Sequence, residues 1–134
     1  MSSYRKFAPV WARELSIDQV VETIEGKVLA TAGDYLCRGV LNELWPQSES
    51  RLFARYSPSG IFDNGWQRFD PKSNIAPIMA TEVSYPFRLD SRWGQILGKP
   101  HDFVIQSPDD PSDMWVVDKK IFELSYKAEE EKNS

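Results

Sequence analysis

Residues 33–45, GDYLCRGVLNELW, constrain this chain most, because a later stretch follows the same layout. His101-Asp102-Phe103-Val104-Ile105-Gln106 stands where Gly33-Asp34-Tyr35-Leu36-Cys37-Arg38 stands, and Trp115 stands where Trp45 stands. One constant offset carries residues 8–15 onto 76–83, Ser16 onto Ser84, Gly26 onto Gly94 and Asp34 onto Asp102. A slightly larger offset carries Trp45 onto Trp115 and Tyr56 onto Tyr126. The extra residues fall in Ser107-Pro108-Asp109-Asp110-Pro111, where the earlier stretch turns at Gly39. Turns absorb insertions readily. The pattern reads as one small module built twice.

Local patterns define the expected module. Residues 7–15 alternate, with Val10, Ala12 and Glu14 on one side and Trp11, Arg13 and Leu15 on the other. That predicts a strand with a buried aromatic side. Ser16 and Gln19 have capping-box spacing, and Ile17, Val20, Val21 and Ile24 share one helical face, so a helix is expected up to Gly26. A strand over 27–31, a turn at Ala32-Gly33-Asp34 and a hairpin of 35–38 with 42–45 follow, ended by Pro46. Ser48 then caps a short helix carrying Leu52, Phe53 and Tyr56.

In the second copy Tyr85, Leu89 and Trp93 mark the first helix, with Pro86 in its first turn, and Asp118 takes the place of Ser48. Residues 57–74 concentrate Ser, Pro, Gly, Asn and Asp and read as an ordered connection, in which Asn64-Gly65 is a strong hairpin signal. The expected fold is α+β, with strand–helix–three strands–helix formed twice around a pseudo-two-fold with antiparallel sheet. The boundaries are a first module over 4–57, a linker over 58–74, a second module over 75–127 and a disordered tail over 128–134. Residues 1–3 are expected to fray. Modules this small are marginal alone, so they are expected to share one core.

Composition narrows the function classes. A net charge of −4 argues against binding a phosphate backbone, which takes clustered Lys and Arg. The single cysteine cannot form an intramolecular disulfide, and one Cys with one His leaves out the ordinary zinc sites. No apolar run has the length of a signal peptide core or a membrane span. The expectation is a cytoplasmic protein without metal or cofactor.

Tyr4-Arg5-Lys6, Pro9-Val10, Ala32-Gly33-Asp34-Tyr35, Gly39, Glu43, Trp45-Pro46 and a helix closing in Tyr56 together resemble the PGDYG-type proteins of bacteria and phages. The family's leading Pro is Ala32 here, and its usual helix Phe is Leu52. The likeness covers residues 4–56, and reaches the second half only through the internal correspondence. It implies a phage-related accessory protein and carries no assigned activity or catalytic residue.

No nucleophile–base signature stands in the sequence. Gly33-Asp34-Tyr35 reads as an anion-holding turn or, more simply, as a turn with a positive-φ Gly and an Asp bonding nearby amides. His101 replaces that Gly and reads as a turn residue rather than a base. Cys37 has Ile105 as its counterpart and reads as a small buried residue. Asp109, Asp110 and Asp113 read as a solvated turn rather than a cation site. Glu14 and Glu82, equivalent by position, read as edge charges rather than an acid–base pair.

The surplus is aromatic: five Trp, accompanied by Arg5, Arg13, Arg38, Arg55 and Arg68. Trp and Arg dominate binding hot spots. Trp45 and Trp115 read as core anchors, and Trp66 as a surface residue. The candidate contact surface is Trp66, Arg68, Arg38, Asp34, Tyr35, His101 and Asp102. The expected function is a non-enzymatic module for an unidentified protein or small ligand, with a homodimer as one arrangement. The alternative is a small-ligand protein or enzyme with its site in a cleft between the two modules.

Overall fold

The structure is a computed structural model describing residues 1–24, 26–91 and 94–129. Strands account for 54% and helices for 11%, which overturns the α+β expectation. The chain divides into two units, Ala8–Ile75 and Met1–Phe7 with the residues from Ala76 onward.

In the unit of residues 8–75, β2 (Val10–Glu14) is central. It pairs antiparallel with β5 (Tyr35–Arg38) on one side and β8 (Trp66–Pro71) on the other. β6 (Leu44–Gln47) and β7 (Tyr56–Asp63) form the two edges, giving the order β6-β5-β2-β8-β7. Helix α1 (Glu49–Arg55) lies on one face. Val10, Ala12, Cys37, Leu52, Tyr56 and Phe69 make the core there. Tyr35, Phe53 and Phe69 stack edge to face around it, at centroid separations of 5.5 to 6.1 Å. Against the opposite face, β3 (Gln19–Thr23) and β4 (Gly26–Ala30) form a separate hairpin. Its Val21 and Ala30 pack with Leu15, Leu36, Leu44 and Trp66.

The second unit places β9 (Ile78–Glu82) centrally. β12 (Phe103–Gln106) lies on one side of it, followed by β13 (Met114–Val117) at the edge. The other side is filled by β1 (Ser2–Lys6), from the chain's N-terminus, and then β14 (Tyr126–Ala128). α2 (Lys119–Ser125) packs Phe122 onto Ile78, Ala80, Phe103 and Ile105. β10 (Phe87–Ser91) and β11 (Gly94–Gly98) make a second two-stranded hairpin.

Several sequence expectations give way for identifiable reasons. The helix expected from Ser16 to Gly26 gives way to β3, which pairs with β4 where a strand was expected over 27–31. β-Branched residues dominate β3, and such residues favour strands. Of the expected helical face only Val21 is buried, while Ile17, Val20 and Ile24 are exposed. The second expected helix likewise gives way to a strand, β10, in which Phe87 and Leu89 alternate with the strand period; Trp93 lies outside the described residues. The strand–helix–three strands–helix module therefore does not form.

Residues 57–74 supply β7 and β8, two strands of the sheet, so they are no linker. Pro46 sits within β6, which tolerates it as an edge strand. Ser2 and Ser3 are paired rather than frayed. Tyr126–Ala128 extends β14 into the expected tail, and residues 130–134 lie outside the described ones. The buried side of β2 is Val10 and Ala12, not the Trp11 side. Among the described residues no helix is long and apolar enough to cross a membrane.

Candidate functional site

Strand pairing brings an arginine–tryptophan array onto one face of the 8–75 sheet. Trp11 pairs with Arg38 across β2–β5 and with Arg68 across β2–β8. Paired residues share a face, and so do residues two apart along a strand. Trp11, Arg13, Arg38, Trp66 and Arg68 therefore all stand on the face opposite α1. The Arg38 guanidinium lies 4.7 Å from the Trp66 ring centroid and 5.9 Å from that of Trp11. Arg13 lies 5.2 Å from Trp66 on the same terms. Each contact is worth about 0.5–1 kcal/mol when exposed. Their larger effect is to hold flexible side chains in place with the guanidinium edges still able to bond.

The three arginines differ in their partners. Arg68 donates from Nε to Asp70 at 2.8 Å. Arg13 and Arg38 have no carboxylate partner among the described residues. A chain of net charge −4 thus carries a locally positive, aromatic sheet face.

A groove of about 580 Å³ adjoins this array, lined by Ala12, Arg13, Glu14, Tyr35, Phe62, Asn64, Gly65, Trp66 and Gln67. Strand alternation directs Ala12, Glu14, Tyr35, Phe62 and Gln67 to the α1 side. Arg13 and Trp66 therefore belong to both groove and array. Burial, with Glu14 and Glu49 nearby, raises the Tyr35 hydroxyl pKa.

The sequence-derived candidates separate into four places. Trp66, Arg38 and Arg68 meet in the array. Trp11 and Arg13 complete it and were missing from the expected surface; their alternation as Trp-x-Arg was the available signal, assigned to a buried side. Tyr35 turns to the other face, against Phe53 and Phe69. Asp34 bonds within its own turn, its Oδ2 accepting from the Thr31 amide at 3.0 Å and hydroxyl at 3.1 Å. Gly33 in that turn has φ of 93°.

His101 and Asp102 lie in the other unit. His101 adopts φ of 73°, and its Nδ1 lies 2.6 Å from Oε2 of Glu82. That hydrogen bond, with a further one from Lys119, lowers the Glu82 pKa. Asp102 is buried. Its Oδ2 accepts from the Lys99 amide, while Lys99 Nζ bridges Asp102 at 2.6 Å and Asp118 at 2.8 Å. Hydrogen bonding from Lys99 lowers the Asp118 pKa. Through Asp102 and Asp118, Lys99 ties its turn to the start of α2.

The remaining candidates have local roles. Cys37 is fully buried in the core and accepts from Gln47 Nε2 at 3.2 Å. Asp110 accepts from the Ser112 amide and hydroxyl. Among the described residues no group of His, Cys, Asp and Glu is arranged to hold a metal ion. No family model, curated protein or solved structure matches the chain.

Proposed function

We propose that the chain is a non-enzymatic binding module whose contact surface is the arginine–tryptophan face of residues 8–75, and that its partner is an acidic protein segment. The observation that carries this is the pair of guanidiniums of Arg13 and Arg38, stacked on Trp66 and Trp11 without a carboxylate partner among the described residues. A guanidinium stacked on an indole keeps its in-plane N–H fork available, and that fork matches a carboxylate. The indoles add apolar area of the kind that dominates interface hot spots.

The test is quantitative capture of native-host protein on the immobilised chain, compared across variants. Trp66→Ala and Arg38→Glu should each weaken the captured partner's affinity by about 30-fold, while Arg88→Glu, in the other unit, should leave it unchanged. Captured partners should carry acidic segments whose charge neutralisation releases them. Equal capture by all variants, or no saturable capture at all, overturns the reading.

The groove supports a second reading, a small ligand held between Tyr35, Phe62 and Trp66. Equilibrium binding of a metabolite set, followed by tryptophan fluorescence, tests it: a ligand lost on Tyr35→Phe or Phe62→Ala favours the groove over the array.

A further inference from the structure

Residues 1–7 are bound to residues 76–129 as a peptide is bound to a receptor. β1 hydrogen-bonds on both sides, in the register Ser2–Ala80, Ser3–Met79 and Tyr4–Ile78 with β9, and Tyr4–Ala128, Arg5–Lys127 and Lys6–Tyr126 with β14. The Glu129 amide donates to Ser3 and the Phe7 amide to Ser125. Tyr4 is the anchor, packed edge-on at 4.9 Å from Phe122 and 6.4 Å from Phe103. Arg5 pairs with Glu129 at 2.8 Å, and Lys6 lies over the Tyr126 ring. Main-chain pairing supplies affinity and alternate side chains supply selectivity, as in other strand additions.

The covalent route is what matters. The strand belongs to one unit, yet the chain continues from it directly into the other through Phe7-Ala8-Pro9. Pro9 biases Ala8 toward extended backbone, so the connection resists folding back as a tight turn. In the 8–75 unit the equivalent position is filled locally, because β8 returns from β7 through Asn64-Gly65. In the other unit the place beside β9 is filled by β1, which lies between β9 and β14.

We infer that residues 1–7 of one molecule can complete residues 76–129 of a second copy, giving a reciprocally strand-exchanged dimer. The exchanged form keeps every contact of β1, so its free energy differs from the monomer's by association entropy and hinge strain. A short tether holds its strand at an effective concentration on the order of mM. Exchange is therefore expected when the chain refolds near that concentration, and the trapped dimer persists on dilution because β1 is held on both edges.

Ser3 and Met79 touch across the strands, Oγ to Sδ at 3.4 Å, which makes them a site for a diagnostic disulfide. Full-length Ser3→Cys and Met79→Cys chains are mixed, refolded together from about 10 μM to about 1 mM, and then oxidised. Native mass spectrometry gives the assembly, and peptide mapping gives the linkage. The expected result is a dimer fraction that rises with refolding concentration, with a 3–79 interchain disulfide in about half of the dimers by statistical mixing. A chain carrying both substitutions shows that the pair can link. Monomers throughout that range overturn the inference, and so do dimers that form without a 3–79 link.

Discussion

The sheet of residues 8–75 takes all its strands from one continuous stretch, whereas the sheet of residues 76–129 fills the corresponding place with β1 from the other end of the chain. The two sheets otherwise run through the same order of element types, including a short helix capped by Ser48 in one and Asp118 in the other. Covalent connection and surface chemistry set them apart. Met79, Gln106 and Ser3 stand at the register positions that Trp11, Arg38 and Arg68 occupy in the first sheet. The self-contained unit carries the arginine–tryptophan face, and the other unit holds the chain end.

The sharpest break of that comparison is deletion of residues 1–7. β9 then loses a neighbour and β14 loses its sole partner strand among the described residues. Amides of β9 and β14 should lose about 100-fold or more of their hydrogen-exchange protection, while those of β2 and β8 stay within about threefold. Equal loss in both units would mean that they fold as one cooperative block. Adding a peptide of residues 1–8 should restore protection in β9 and β14.

A smaller effect comes from the anchors on the two corresponding strands. Phe69 on β8 is 1% exposed, so Phe69→Ala should cost about 3–5 kcal/mol in the 8–75 unit. Tyr4 on β1 is half-buried, so Tyr4→Ala should cost about 2 kcal/mol in the other. Urea midpoints followed residue by residue in NMR spectra would show each loss confined to its own unit. A Tyr4→Ala loss confined to residues 8–75 would break the comparison.

How much of this was legible in the sequence depends on the range of the forces involved. Local turn chemistry was readable: Asn64-Gly65 forms the β7–β8 turn with φ of 50° and 84°, and both helix caps accept the amides of Arg51 and Ile121. The short β3 segment was misread because Ile17, Val20, Val21 and Ile24 satisfy a helical spacing by coincidence. A window that short cannot separate the two periods, and β-branching should have decided it. The placement of β1 was not readable at all, since its partners lie at residues 78–80 and 126–128. The array was half legible. Its residue types stood out, but only the register between β2, β5 and β8 selects Trp11 and Arg13 as neighbours of Trp66 while sending Tyr35 to the opposite face.

The two turns offer a finer comparison. Gly33 and His101 both take positive φ, at 93° and 73°. A Cβ on Gly33 would meet open space, so Gly33→Ala should cost only the backbone preference, about 1 kcal/mol. His101→Gly relieves a similar strain but gives up the Glu82 contact, which solvent screens at this exposed site. Its net effect should fall close to zero. Thermal unfolding of the two variants measures the contrast; a large loss on His101→Gly would show that the Glu82 contact holds the turn together.

The smallest effect separates the units by pH. In the 76–129 unit hydrogen bonds from His101 and Lys119 lower the Glu82 pKa, and those from Lys99 lower that of Asp118. A carboxyl group whose folded pKa is depressed stabilises the fold above its unfolded pKa, and that contribution disappears as pH falls through the folded value. The corresponding turn of residues 8–75 bonds Asp34 to the neutral groups of Thr31. On acidification below the usual carboxylate range, residues 76–129 should therefore lose stability first, beginning where Asp118 caps α2. NMR-detected urea midpoints at successive pH values test this, with Asp118→Asn expected to flatten the acid slope of α2 and leave that of α1 unchanged. Parallel acid slopes in the two units would mean that the Lys99 bridge contributes nothing and that α2 depends on its cap hydrogen bond alone.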